Sequence, residues 1–353
     1  MEFTDKITLA LPEYGLDAVL LTGETNIRYA TGFPSTDSLA LVTRTGAYFF
    51  TDSRYTEAAQ AVISGSEVLE VTGRARMDKL AQVLEADGAS VLGFEENVLT
   101  YAGYESFSGA LNRVMKPAGD MMTALRAAKS DDEFEVMKKA QRIAEKAFTE
   151  TVAVISEDMT ERELAAELLY RMLKNGAEGP SFDTIAVSGP RTSMPHGVPG
   201  DNRIGKGFLT IDFGVKYCGY CSDTTRTLCM GEPTDKMRRV YETVLEAQKA
   251  GIAAARSGIP GNVVDRAGRD VIEKAGFGQY FGHSFGHSLG LDIHESPNFS
   301  PSEKRIIPEG AVLSAEPGIY IPGEFGVRIE DVVRVYDGGC EDITALPREL
   351  TVL

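Results

Sequence analysis

Cysteine is scarce in this chain: four residues in 353 do not make a disulfide scaffold. No apolar run reaches 18 residues, so no segment reads as a membrane-spanning helix. The start, MEFTDKITLALPEY, lacks a basic stretch ahead of an apolar core, so a signal peptide is not expected and the cytoplasm is the expected compartment. Positive charge is in deficit: 36 Lys and Arg against 52 Asp and Glu leave a net charge of −16, which opposes non-specific nucleic-acid binding. An acidic cleft would also attract the ammonium end of a peptide. Low-complexity sequence and visible internal repeats are absent. What remains is ordinary for a globular protein, 43% hydrophobic and 25% charged, and long enough for two domains with full cores.

Histidine is as scarce as cysteine, but all four fall in two short segments. His196 lies in SGPRTSMPHGVPGDN, and His283, His287 and His294 lie in GHSFGHSLGLDIHESP. Four carboxylates stand in comparable settings: Asp212 in LTIDFG, Asp223 in GYCSDTTRT, Glu316 in SAEPGIY and Glu330 in GVRIED. Imidazole and carboxylate together suit Mn, Fe, Co or Zn, and four acids exceed what one dication needs. Clustered negative charge is unfavourable unless cations sit in it, so the pattern points to two adjacent ions and a dinuclear hydrolase.

Residues 208 to 214 read as a strand with Leu209, Ile211 and Phe213 on one face and Thr210 and Asp212 on the other. A turn centred between Tyr217 and Cys218 would pair Asp212 with Asp223 and Thr210 with Thr225, opposing two acids on one face of a hairpin. The bland alternative is a pair of solvated surface carboxylates. His283 and His287 have the spacing of the helical H-E-x-x-H motif, but Ser284 stands where its glutamate belongs. Gly282, Gly286 and Gly290 would each weaken a helix by about 1 kcal/mol, so an extended or irregular segment is expected. Pro317 and Gly318 end a strand and leave Glu316 at its tip. Arg328 and Glu330 share one strand face, and a surface salt bridge between them is the ordinary reading of that pair. Cys218 and Cys221 form a single CxxC inside the hairpin, where packing explains Cys221 better than zinc or redox chemistry.

In order, Asp212, Asp223, His287, Glu316 and Glu330 resemble the five-ligand pattern of the aminopeptidase P, prolidase and methionine aminopeptidase superfamily, the pita-bread metallopeptidases. SFDTIAVSG, PHGVP and ALRAAKSDDEFEVMKKAQ also resemble family motifs, while TNIRYATGF and TDSRYTEAA resemble the smaller N-terminal domain of the aminopeptidase P and prolidase branch. Methionine aminopeptidases usually lack that domain. The resemblance implies that Asp212 serves one metal alone, Asp223 and Glu330 bridge both, and His287 and Glu316 complete the other. It implies pocket roles for His196, His283 and His294, and places Arg328 near the bridging glutamate. The implied activity is removal of an N-terminal residue preceding proline, from short peptides, by a homodimer using two divalent ions, Mn first with Co, Zn and Fe as alternatives. A dication lowers the pKa of its water to roughly 7, which arms water against a peptide carbonyl. Glu316 is the expected proton shuttle, His294 and His196 the expected donors to the carbonyl oxygen, and His283 a positioning group.

An Xaa-Pro dipeptidase would need a cation to hold the carboxylate just after proline. This chain has Asn298 after HESP, with Lys304 and Arg305 further on, so an Xaa-Pro aminopeptidase is the main expectation and a prolidase the alternative. A metal-free creatinase-type hydrolase and a non-catalytic scaffold of the same fold are the rivals.

The expected architecture is an α/β N-terminal domain over residues 1–122 and an α+β pita-bread catalytic domain over 123–353. Strands are expected at Asp17 to Leu21, Leu39 to Val42, Ala47 to Thr51, Glu67 to Val71 and Ser90 to Phe94, with helices near Arg54 to Ile63, Met77 to Ala86 and Tyr101 to Leu111. The boundary region is Lys116 to Ser130. Ser130 to Glu133 and Thr160 to Glu163 read as capping boxes, and Thr234 and Asn262 as N-caps of two further helices.

Overall fold

The computed structural model describes residues 3–353; Met1 and Glu2, which open the expected N-terminal domain, lie outside them. The chain divides into two compact units, Met1–Arg126 and Ala127–Leu353. The division follows Arg126 because helix α6 (Gly119–Ala127) runs through the expected boundary at 122/123.

The first unit is α/β. Strands β1 (Ala18–Leu21), β2 (Leu39–Thr43), β3 (Ala47–Thr51), β4 (Glu67–Glu70), β5 (Val91–Phe94) and β6 (Val114–Pro117) form one sheet in the order β4-β3-β2-β1-β5-β6. The pairs β1/β5, β5/β6 and β3/β4 are parallel, and the β1-β2-β3 meander is antiparallel. Helices α1 (Phe3–Ala10), α2 (Glu24–Thr31), α3 (Thr56–Val62), α4 (Gly73–Ala86) and α5 (Tyr101–Leu111) complete it. Leu80, Val83 and Leu84 of α4 bury one face of the sheet with Leu20, Leu41 and Phe50. Buried Glu95 fixes the start of α2: it accepts from the amides of Thr22 and Gly23 and from Asn26 Nδ2 at 2.6 Å.

The second unit opens with α7 (Asp131–Val152) and α8 (Glu161–Lys174), both started by reciprocal capping boxes at Ser130/Glu133 and Thr160/Glu163. Strands β7 (Gly179–Pro180), β8 (Ile185–Ser188), β9 (Gly207–Phe213), β10 (Val215–Tyr217), β11 (Tyr220–Cys221) and β12 (Thr224–Met230) follow. Leu209, Ile211 and Phe213 turn toward the helices, with Phe213 stacked on Phe148 at 5.0 Å, so the face bearing Thr210 and Asp212 is left for other use. Helices α9 (Asp235–Ala254) and α10 (Gly261–Lys274) then repeat the helix pair, followed by β13 (Gly286–Ser288), β14 (Glu295–Phe299), β15 (Val312–Ala315), β16 (Gly318–Ile321), β17 (Phe325–Arg328), β18 (Asp331–Tyr336) and β19 (Gly339–Asp342). Thr234 caps α9 as expected, but α10 starts two residues earlier than the Asn262 reading, with Pro260 as its N-cap. The Gly261 amide is held by Arg305 O and the Asn262 amide by Glu303 O, so backbone carbonyls satisfy these first-turn donors and Pro260 can cap the helix without a side-chain acceptor.

A repeat invisible in the sequence emerges. In each half a helix pair precedes a strand, an acid, a small hairpin, a second acid and a returning strand. The first half runs β9 with Asp212, the β10–β11 hairpin, Asp223, then β12. The second runs β15, Glu316, the β16–β17 hairpin, Glu330, then β18. Glycine marks the same crowding in both halves: a Cβ on Gly214 would lie 1.9 Å from Ser222 O, and one on Gly286 1.9 Å from Ser314 O.

Candidate active site

The hairpin register differs from the sequence expectation. Asp212 pairs with Thr225, and Thr210 with Thr227. The turn is centred on Cys218 and Gly219, not between Tyr217 and Cys218, and both take positive φ, 47° and 81°. That is the two-residue hairpin turn whose twist matches the flanking strands. The shift of two keeps Asp212 on its predicted face and brings Asp223 to the root of β12. Cys218 is exposed on the turn and Cys221 buried, and neither is disulfide-bonded.

All nine residues singled out from the sequence line one cavity of about 1180 Å³: Asp212, Asp223, His287, Glu316, Glu330, His196, His283, His294 and Arg328. Neither histidine is helical, as the glycines require: His283 lies at a bend in irregular chain and His287 belongs to β13. Phe285 between them is wedged against helical Gly251 and Gly268, where a Cβ would lie 2.1 and 2.3 Å from its ring. Asp265 accepts from the Phe285 amide at 3.0 Å, and Arg269 donates to His283 O at 2.8 Å, so α10 holds this segment at two backbone points.

Donors and acceptors fix the tautomers. His287 Nδ1 is 3.1 Å from the Ser288 carbonyl, which can only accept, so Nδ1 carries the proton and Nε2 presents a lone pair. That lone pair faces Asp223 Oδ2 at 3.5 Å and Glu316 Oε1 at 3.3 Å. Burial lowers the His287 pKa, so the imidazole is not held as a cation. One ligand atom each from Asp223, His287 and Glu330 lies within 4.8 Å of the others. Burial first, then mutual repulsion among the acids, pushes the pKa of Asp223 and Glu330 well above the usual carboxylate range, and burial raises that of Glu316. Asp212 Oδ1 and Asp223 Oδ1 are buried without a hydrogen-bond partner. A set of converging lone pairs with orphaned carboxylate oxygens fits divalent cations.

Arg328 is not on the surface and does not simply pair with Glu330. Its guanidinium is buried, donating to Asp212 Oδ2 at 2.6 Å, Tyr320 Oη at 2.8 Å and Thr225 Oγ1 at 3.0 Å. Thr225 in turn donates to Glu330 Oε2 at 2.7 Å, so the arginine reaches Glu330 through a hydroxyl. Tyr320 continues the chain to His283 Nε2 at 2.9 Å, and His283 Nδ1 donates to Ser284 O at 2.8 Å. With Nδ1 protonated and the pKa lowered by burial, His283 accepts from Tyr320 as a neutral imidazole. His294 faces the edge of His287 with ring centroids 4.4 Å apart and opens into the cavity.

Tyr320 and Thr225 are the residues that sequence reasoning missed as site groups. Tyr320 had a signal in GIY followed by FGV: its ring lies over Gly326, its register partner, where a Cβ would come within 2.8 Å. Thr225 had none, since its role depends on the corrected register.

Residues 135–337 match the model of metallopeptidase family M24, and residues 4–128 match the creatinase/prolidase N-terminal domain. The chain is 38% identical over 356 residues to the Xaa-Pro dipeptidase of Pyrococcus furiosus, covering 99% of each. It superposes on the Xaa-Pro dipeptidase structure from Bacillus anthracis with a TM-score of 0.95 at 40% identity, covering 99% of each chain. The X-Pro aminopeptidase structure from Thermotoga maritima gives 0.91 at 38%, covering 96% of this chain and 98% of the other. With its pita-bread fold and metal-binding chemistry in place, the chain belongs to metallopeptidase family M24 and is a metallo-exopeptidase with a creatinase/prolidase-type N-terminal domain.

Proposed function

We propose that the protein is an Xaa-Pro dipeptidase that holds two divalent ions between Asp212, Asp223, His287, Glu316 and Glu330. The observation that carries the metal site is the convergence of the His287 Nε2 lone pair with buried, orphaned carboxylate oxygens. Ions held there would supply Lewis acidity to a scissile carbonyl and acidify a water. Glu316 takes the proton from the attacking water and delivers it to the leaving proline nitrogen. His294 and His196 donate to the carbonyl oxygen as it gains charge, and neutral His283, locked by Tyr320, shapes the wall beside them. Arg328 orients Asp212, with Nη2 2.6 Å from its Oδ2. The reading takes Mn as the ion, with Co, Zn and Fe as alternatives, short peptides with proline second as substrates, a homodimer as the assembly and the cytoplasm as the compartment.

Dipeptidase replaces aminopeptidase as the preferred specificity because relatives matched along nearly their whole length bear that name, among them those of Pyrococcus furiosus and Pyrococcus horikoshii. A second reading, Xaa-Pro aminopeptidase, has one observation in its favour. Arg328 is the sole lysine or arginine among the cavity-lining residues, and it is committed to Asp212 and Tyr320. Arg305 is engaged by Glu303, at 2.9 Å from Oε1. Rates on Xaa-Pro and Xaa-Pro-Yaa, with and without chelator, separate the readings. Faster cleavage of the dipeptide supports the proposal, and cleavage of the longer peptide alone supports the second reading. Chelator-insensitive activity would point to a metal-free hydrolase, and no turnover with Mn would refute both readings.

A further inference from the structure

His196 sits on a loop without regular structure, yet the loop is held at every turn. Pro195 O accepts from Arg328 Nη1 at 3.3 Å, and Gly197 packs so tightly on Val187 that a Cβ would come within 2.8 Å. Beyond His196, Val198 O accepts from Arg191 Nη2 at 2.6 Å, and the Gly200 amide donates to Glu161 Oε2 at 3.0 Å. Glu161 is the common point. It is fully buried at the first turn of α8, and its other oxygen accepts from the Ser188 amide at 2.9 Å and Ser188 Oγ at 3.1 Å. Arg191 Nε lies 3.1 Å from both its oxygens. The helix end adds backbone staples, Glu161 N to Asn202 O and Arg162 N to Gly200 O, both at 3.0 Å.

One buried carboxylate therefore ties the end of β8, the 3-10 turn at Gly189–Ser193 and the far end of the His196 loop together. Removing one partner from a buried, hydrogen-bonded pair of this kind is strongly destabilising, so the pair specifies one arrangement of the segments it joins. Glu161 does not line the cavity or belong to the proposed metal site. Val198, 76% exposed at the cavity rim, is not held by packing of its own side chain. Arg191 and Glu161 are the polar side chains that hold Val198 and Gly200; the Arg162–Asp201 ion pair that follows, at 2.9 Å, is exposed.

We propose that Glu161, acting with Arg191, is the positioning residue for His196. The pair holds the loop so that the imidazole enters the cavity at one place; this rests on the assignment of His196 as a substrate-binding group given above. The mechanism is geometric, since misplacing a contact group by about 1 Å can cost on the order of 100-fold in rate.

The test is a double-mutant cycle of Glu161→Gln and His196→Ala on the full-length, Mn-loaded protein, with Arg191→Met as a second entry to the same pair. Glu161→Gln should lower kcat/KM on an Xaa-Pro peptide by roughly 10-fold or more in the native background, and less than about 2-fold in the His196→Ala background, since coupled residues are non-additive. Arg191→Met should show the same dependence if the glutamine variant does not fold. Mn binding, followed by electron paramagnetic resonance, should be unchanged, and amide hydrogen exchange should rise over residues 194–200. Equal losses in both backgrounds, or unchanged exchange in that segment, would overturn the proposal. If the unsubstituted protein cleaves no Xaa-Pro peptide, the functional reading fails separately, and the exchange measurement alone then judges whether Glu161 orders the loop.

Discussion

Stripping divalent ions from the protein at neutral pH should destabilise the catalytic unit by more than a typical single substitution does. Asp223 and Glu330 are buried and Glu316 is mostly so, and each has a pKa above its ordinary value. In the folded, metal-free state they hold protons that the unfolded chain releases near pH 4. Between that pH and their raised values the folded state binds more protons than the unfolded one, so stability falls as pH rises. His287 and His283 run in the opposite direction: their lowered pKa values cost stability as pH falls below about 6.5. Well above about pH 6.5 the imidazoles are neutral in both states and drop out of the slope. Binding an ion at 100 times its dissociation constant adds about 2.7 kcal/mol, or about 5 kcal/mol for two independent sites. In a unit of this size each kcal/mol moves Tm by about 2–4 °C, so Mn should raise Tm by roughly 10–20 °C at about pH 8. At lower pH protons compete for the same acids and the increment should shrink. Scanning calorimetry with chelator and with excess Mn at several pH values measures this directly. A metal increment independent of pH, or chelated protein gaining stability from pH 7 to 8, would refute the electrostatic account of the site.

Glu316→Gln should lower kcat by 10²–10⁴-fold at saturating metal, with occupancy checked on the same sample; near-native turnover would move the proton-transfer role elsewhere. His294→Ala should cost about 100-fold in kcat while leaving metal content unchanged, so metal loss in that variant would show it to be a ligand. Gly286→Ala puts a methyl 1.9 Å from Ser314 O, a backbone atom that cannot swing aside, and should cost at least about 3 kcal/mol in chemical denaturation. Ordinary stability in that variant would mean the two strands can separate without loss.

Much of the site was legible in the sequence because its chemistry is concentrated. Four histidines in two segments and acids at strand ends need no tertiary information to stand out, and the glycines around His287 excluded a helix correctly. The strands of the first unit were legible for a similar reason, being short apolar runs between turn signals. What was hidden depended on partners far away in sequence. The hairpin register missed by two because Cys218, not an obvious left-handed residue, takes a positive φ beside Gly219. Arg328 reads as half of a surface pair until Asp212, Tyr320 and Thr225 are seen around it. Strand β6 carries Lys116 and Pro117, and α1 and α2 are only eight residues each, so neither propensity nor periodicity marks them strongly. The duplicated half is legible only as geometry, since its two copies share an order of elements and not a residue pattern.

That duplication decides where the molecule can change. In each half the two acids stand at the roots of a small hairpin, pinned by a strand ladder below and by a glycine pressed against backbone. The tip of the second hairpin is not packed in this way: Pro322, Gly323 and Glu324 are exposed, and Pro322 borders the cavity. Residues can be inserted or exchanged at this tip without moving Glu316 relative to Glu330, because the β15–β18 ladder fixes that spacing from beneath. The mouth of the cavity is thus mechanically uncoupled from its floor. Which peptides fit can drift by loop variation while the acids that do the chemistry stay where the ladders hold them.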